Sequence, residues 1–284
     1  MPTANLRYHR ATDRITPTWS VATSYSTAAV RTGYGTTQLS DSDPSSPCWV
    51  DQNLVQFNGD FTTPTLVSSV YIVGHNYSSS ADLRFRMYSS STLGTTSPQV
   101  EIAVTVPTPY GDGFTYDLNV DLTVSYPSSS QRFFRYMSVR NEAVNGATVA
   151  IGEIVAYPSR RTFTRPIKLG TLSQPRARIT SSVSSKRGVL TVHDYGSVER
   201  SIVATVEANV QDFQDLRALE ANAHCGVKPF VVVPVADDTT ILQRAEPMYV
   251  RIASPIAGSV PQYDDLVPVR LELRELGKGE VIGA

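Results

Sequence analysis

Short apolar runs separated by turn residues fill the first 160 residues, and this spacing constrains the fold more than any other feature. Clusters rich in Pro, Gly, Ser and Asn lie between the runs, and no segment there has the period of a helix. Several short strands at this spacing predict a jelly-roll β-sandwich. The predicted strands are Cys48–Phe57, Leu66–Val73, Leu83–Tyr88, Val100–Val106, Phe114–Val124, Phe133–Arg140 and Ala147–Tyr157.

The second half combines alternating strands with one helical stripe. Alternation over Ser201–Val210 predicts a half-buried strand, and residues 228–235, 248–252 and 267–273 also predict strands. Between them, Phe213, Leu216 and Leu219 recur at helical spacing, with Asp212 as the expected N-cap. The sequence therefore predicts a second β-sandwich flanked by one helix, residues 213–224.

A shift in composition divides the chain. Lysine is absent before Lys168, and the segment 157–166 carries two prolines among polar and basic residues. We therefore predict a linker at 157–166 between domains 1–158 and 166–284. The formal net charge of −1 indicates no nucleic-acid partner.

Motifs of catalysis and cofactor binding are absent from the sequence. There is no phosphate-binding glycine loop, no nucleophile elbow and no metal-binding pair such as H-E-x-x-H or C-x-x-C. The sequence thus predicts a protein that is not an enzyme and that holds no cofactor or metal. The N-terminal stretch has no apolar segment of a signal peptide, and no run reaches membrane-spanning length, so we expect a soluble chain without membrane insertion.

The stretch His75-Asn76-Tyr77 follows an apolar run and precedes a serine-rich turn. A strand-end turn is the main interpretation, because Gly74 lets the backbone bend and both polar side chains can hydrogen-bond the turn. Contact with a ligand at the rim of the sandwich is the alternative, since loops at the ends of sandwiches carry binding sites.

The order of three stretches resembles a galactose-binding, discoidin-like jelly-roll module found in structural proteins of tailed bacteriophages. These stretches are CWVDQNLVQFNGDF (48–61), VYIVGHNYSSSADLRFRMYSS (70–90) and RFFRYMSVRNEAVNGATVAIGEIVAYP (132–158). The resemblance covers about half of the chain and implies a peripheral domain with a binding-like fold.

The stretch RSIVATVEANVQDFQDLRALEANAHCGVKPFVVVPV (200–235) resembles tail-tube and distal-tail proteins in its layout of strand, helix and strand. That resemblance implies an assembly domain, with Phe213, Leu216 and Leu219 in its helix. The main interpretation is a virion protein made in the host cytoplasm, which forms a homo-oligomeric ring at the tail tip or baseplate. Its partners would be the tail tube, the hub, the fibres and a host-surface glycan. A carbohydrate- or receptor-binding accessory protein is the alternative, and a depolymerase comes third.

Overall fold

A computed structural model describes residues 5–22, 30–52, 54–89, 98–106, 117–142, 148–166, 176–184, 190–234, 246–256 and 266–276. Within these ranges the chain is mainly β, and all strand pairs between named strands are antiparallel. The prediction of a mainly β protein with sandwich-like sheets is confirmed.

Two of the three sheets face each other as a sandwich. The four-stranded sheet runs in the order β3 (Cys48–Val50), β10 (Val149–Tyr157), β5 (Ser69–His75) and β8 (Leu118–Asp121). The five-stranded sheet runs in the order β2 (Thr18–Val21), β4 (Gln56–Leu66), β9 (Phe133–Asn141), β6 (Leu83–Tyr88) and β7 (Val100–Val104). Their facing side chains form one apolar core that includes Phe57, Phe85, Val139, Ile72 and Ile154. The burial of this core stabilises the sandwich.

The third sheet has seven strands. Its order is β11 (Arg161–Pro166), β1 (Asn5–Tyr8), β14 (Phe230–Val233), β15 (Met248–Ile252), β16 (Val267–Glu275), β13 (Leu190–Ala208) and β12 (Arg176–Ser184). Its strands β14 and β15 are covered on both faces. Phe230 and Val232 lie in the core beneath the helix, whereas Val231 and Tyr249 pack against Tyr71 of the four-stranded sheet.

The helix lies slightly earlier than the sequence predicted. Helix α2 spans Val210–Asn222, and its N-cap is Asn209, whose side chain accepts a hydrogen bond from the Asp212 amide. The prediction that Asp212 caps the helix is therefore wrong, because Asp212 is the third helical residue. Phe213, Leu216 and Leu219 are buried in the core shared with the seven-stranded sheet, which is what a half-apolar helix requires. A second helix, α1, spans only Leu122–Ser125, in a stretch where no helix was predicted.

The helix ends in left-handed backbone. His224, Cys225 and Gly226 all have positive φ, and the Gly226 value is 95°. A Cβ atom at Gly226 would lie 2.5 Å from the carbonyl oxygen of Ile252, so only glycine fits. Gly226 thus lies just past the helix end, a position where glycine is favoured.

The stretch predicted as a linker is part of two sheets. Residue 157 ends β10, and residues 161–166 form β11, which pairs with β1. The linker prediction is thus wrong, because residues 157 and 161–166 of this stretch lie in paired strands. The strand β1 also pairs with β14, so residues 5–8 lie in the seven-stranded sheet. The division into domains 1–158 and 166–284 stays a prediction.

Candidate functional site

The three residues predicted at the rim lie in a turn that is held by hydrogen bonds within the protein. Gly74 has φ of 62° and supplies the bend, and the Tyr77 amide donates to Nδ1 of His75 at 3.1 Å. The Asn76 side chain donates to the carbonyl of Thr148 and accepts from the amide of Ala150, both on the neighbouring backbone. These contacts are those of a strand-end turn.

Burial bears on the alternative interpretation of the same residues. His75 and Tyr77 are each 1% exposed, and the Asn76 amide group is held by β10 and the residue before it. A ligand at the surface would have little of either ring to touch. Contact of His75, Asn76 and Tyr77 with a ligand stays an untested prediction.

A different surface combines exposed aromatic and charged groups, and it begins with the turn Arg31–Tyr34. The Tyr34 amide donates to the Arg31 carbonyl at 2.9 Å, and Gly33 has φ of 86°. This is the geometry of a type II turn, in which the third residue needs positive φ and is usually glycine. The turn therefore fixes the directions of Arg31 and Tyr34.

The turn is fastened to Trp49 of β3. The Arg31 amide donates to the Trp49 carbonyl at 2.9 Å, and the Trp49 amide donates to the Tyr34 carbonyl at 3.1 Å. The Arg31 guanidinium lies 4.4 Å from the centre of the Trp49 ring, and the Tyr34 ring meets that ring edge-on at 6.2 Å. Cation–π and edge-to-face contacts of this kind hold the three side chains together.

Asp51 completes the group. Its carboxylate accepts from Nη2 and Nε of Arg31 at 2.5 and 3.2 Å, a two-pronged pairing that orients both planar groups. The side chains of Arg31 and Asp51 are 42% and 48% exposed, and Tyr34 is 39% exposed. We call Arg31, Tyr34, Trp49 and Asp51 the β3 edge cluster.

The loop between Tyr34 and Trp49 is also well connected. Gln38 donates to the Gly33 carbonyl at 3.0 Å and to the Ser46 hydroxyl at 2.7 Å, so it links the turn to the far end of the loop. Asp41 accepts from the Asp43 amide, and Asp43 accepts from the Ser45 amide. These are Asx turns, in which aspartate side chains shape their own loop.

Buried polar groups lie where the four- and seven-stranded sheets meet. Nδ1 of His9 lies 2.6 Å from the Ser159 carbonyl, which can only accept, so Nε2 accepts from the Tyr71 hydroxyl at 2.7 Å. Burial lowers the pKa of His9 to about 4, so the ring is neutral. Glu153 pairs with Arg14 at 3.1 Å in the same region. These contacts join the two sheets.

The described ranges contain neither a metal-binding group nor a membrane-spanning helix. No group of three or more His, Cys, Asp or Glu side chains is placed there to bind an ion. No helix in the same ranges is long and apolar enough to cross a bilayer. Cys48 is buried, Cys225 is exposed, and the two form no disulfide.

The β3 edge cluster was not predicted from the sequence, although both of its parts stand out there. TGYG at 32–35 is a turn signal with an aromatic residue, and CWVD at 48–51 places tryptophan and aspartate two residues apart on one face of a strand. Nothing in the sequence shows that the turn hydrogen-bonds to Trp49. That pairing requires the structure.

Comparison with known proteins gives structural likenesses only. No family model matches the chain, and no curated protein matches it. The lectin domain of lectinolysin complexed with Lewis B antigen is 11% identical, with a TM-score of 0.36 over 50% of this chain and 93% of that domain. A Streptococcus pneumoniae fucose-binding module is 11% identical, with a TM-score of 0.36 over 54% of this chain and 96% of that module.

The family 32 carbohydrate-binding module of Clostridium perfringens NanJ, in complex with galactose, is a further likeness. It is 12% identical, with a TM-score of 0.36 over 54% of this chain and 98% of that module. At such identities and scores these likenesses carry no conclusion about function. The tail assignment stays a prediction from the sequence.

Proposed function

We propose that this protein binds glycans through the β3 edge cluster. The observation that carries the proposal is an exposed tyrosine ring held beside a two-pronged arginine–aspartate pair. This is the alternative interpretation of the sequence, now with a defined surface. The phage-tail interpretation concerns where the protein works and is compatible with this chemistry.

The chemistry of the cluster suits a sugar. A pyranose has one face of C–H groups, which packs on an aromatic ring, and hydroxyl pairs that both donate and accept hydrogen bonds. The Tyr34 ring supplies an apolar surface, and Asp51 and Arg31 supply an acceptor and a donor side by side. Because the turn and the ion pair already fix these groups, little ordering entropy is lost on binding.

The test is a glycan array with the whole chain, followed by calorimetry on the best ligand. Tyr34→Ala should weaken binding by at least about tenfold, because an aromatic anchor contributes strongly to affinity. Asp51→Asn should weaken it as well, since the carboxylate accepts hydrogen bonds more strongly than an amide does.

A matched control lies on the five-stranded sheet. Arg135 is stacked on Tyr136 at 5.1 Å and is paired with Asp60 at 2.6 Å, so it repeats the arginine–aromatic–aspartate chemistry elsewhere. Arg135→Ala should leave the affinity unchanged. Loss of binding in Arg135→Ala with normal binding in Tyr34→Ala would place the site on the other sheet and refute the proposal.

A second candidate function, assembly into a homo-oligomer, is favoured by one backbone feature. Strand β13 has 19 residues, but within the described ranges only residues 201–208 pair with β16. Its first part pairs with β12 alone, as a two-stranded ribbon about 35 Å long at ~3.3 Å per residue. Two-stranded ribbons are marginally stable by themselves, and their open edges accept further strands.

We expect the purified chain to form oligomers through this ribbon. Light scattering should give a mass that is a multiple of 31.0 kDa. Ile179→Pro, which removes one backbone donor from β12, should reduce that mass if the ribbon edge pairs with a second copy. A monomeric mass at all concentrations would contradict the assembly interpretation.

A further inference from the structure

The loop that joins the two halves of the β3 edge cluster is anchored at its middle by one buried carboxylate. Glu153 lies on β10, is fully buried and accepts from the Ser42 amide at 2.7 Å through Oε1. The same oxygen accepts from Nη2 of Arg14 at 3.1 Å. Ser42 has φ of 70°, so its backbone adopts a left-handed conformation that a serine seldom takes.

Arg14 extends the anchor to the seven-stranded sheet. Its Nη1 donates to the Ser42 hydroxyl at 2.6 Å and to the Tyr249 hydroxyl on β15 at 3.0 Å. One guanidinium therefore holds the loop, the carboxylate of the four-stranded sheet and a strand of the third sheet. Replacing Arg14 alone would leave the Glu153 carboxylate buried without its cation.

The loop also lies close to β10 at the residue that precedes Glu153. A Cβ atom at Gly152 would lie 2.5 Å from the Pro44 carbonyl oxygen, so the loop backbone rests directly on β10. Leu39 is fully buried in the sandwich core on the other side of Ser42. Gln38 then links this anchored stretch to Gly33, next to Tyr34.

We propose that Glu153 is a positioning residue for the β3 edge cluster, which holds the 36–47 loop in place through Ser42 and Arg14. This role rests on the proposed function only where it concerns ligand affinity. The loop begins just after Tyr34 and ends just before Trp49, so its release at Ser42 loosens both sides of the cluster.

Protonation of Glu153 gives the anchor a pH dependence. Burial raises the pKa of Glu153 to about 7, against the lowering effects of Arg14 and of the Ser42 amide. The groups that face it are Arg14, Tyr249 from β15 and Tyr157 from its own strand, with Asp41 of the loop near Arg14. An open loop would return the carboxyl to water and to its ordinary lower pKa. Protonation therefore favours the closed loop, and closure weakens as the pH rises towards about 7.

Hydrogen exchange of the whole chain tests this role directly. After correction for intrinsic exchange, the amides of Ser42, Tyr34 and Trp49 should be better protected at about pH 5 than at about pH 8. Glu153→Gln imitates the protonated side chain, so its protection should no longer depend on pH. The same pH dependence in Glu153→Gln as in the wild type would overturn the proposal.

A double substitution removes the anchor without leaving an unpaired buried charge. In Arg14→Met with Glu153→Met, the loop amides should exchange at least about tenfold faster, while the amides of β9 stay protected. Arg135→Met with Asp60→Met, which removes an exposed pair, should change neither set. Unchanged loop exchange in the anchor variant would refute the positioning role.

Measurements of glycan binding distinguish a failure of this proposal from a failure of the proposed function. If the wild type binds a glycan, the anchor variant should bind it several-fold more weakly, and equal affinity would refute the role in positioning. If the wild type binds none and the exchange results hold, only the proposed function fails.

Discussion

Leu216→Asp is expected to unfold the part of the protein built on the seven-stranded sheet. Leu216 is fully buried between α2 and that sheet, together with Phe213 and Leu219. An aspartate there would bury a charge without a partner and remove a packed apolar side chain. Together these effects cost about 4 kcal/mol or more, a large fraction of the stability of most domains.

Thermal unfolding followed by circular dichroism measures this effect. Gln214→Asp places the same charge two residues earlier on the exposed side of the helix. Its melting temperature should therefore be close to that of the wild type. Wild-type melting of Leu216→Asp would mean that the stripe is not packed on the sheet.

Arg200→Met should have the second large effect. Arg200 lies in β13 with its side chain 3% exposed, and it pairs with Glu246 at 2.6 Å and with Glu275 at 2.5 Å. The substitution removes the cation with which both buried carboxylates pair. Breaking buried pairs in this way typically costs about 3–5 kcal/mol.

Chemical denaturation gives the free energy of unfolding for this comparison. Arg200→Met combined with Glu246→Gln and Glu275→Gln should regain most of the loss, since the two carboxylates that paired with Arg200 are then neutral amides. Arg84→Ala is the exposed control: its partners Asp82 and Glu101 are both solvent-accessible, and stability should stay within the error of the measurement. Equal stability of Arg200→Met and Arg84→Ala would show that the buried cluster contributes nothing.

The strands with a clear period were the predictable part of the fold. Alternation over Leu83–Tyr88 gave both the strand bounds and its faces, with Arg84 and Arg86 on the polar side. The stripe of α2 was predictable for the same reason. Strand β5, apolar on both faces, is buried on both faces because it lies between the sandwich core and the third sheet.

Long-range pairing was the part that the sequence did not reveal. Strand β1 has only four residues and β11 is largely polar, and they are strands because each finds a partner in the seven-stranded sheet. The predicted strand Cys48–Phe57 is broken after Val50, where the chain leaves one sheet and enters the other at Gln56. The β3 edge cluster was not predictable for a similar reason. Tyr34 and Trp49 are joined by backbone hydrogen bonding between two segments whose sequences give no sign that they pair.

The position of β1 has a consequence for synthesis on the ribosome. Residues 5–8 lie between β11 and β14, so their second partner, Phe230–Val233, is made about 220 residues later. At about 5–20 residues per second, on the order of 10–50 seconds pass between the synthesis of β1 and that of β14. The sandwich can close during that interval. The seven-stranded sheet therefore folds last. A nascent-chain chaperone that shields β1 would have to stay bound until β14 has been made.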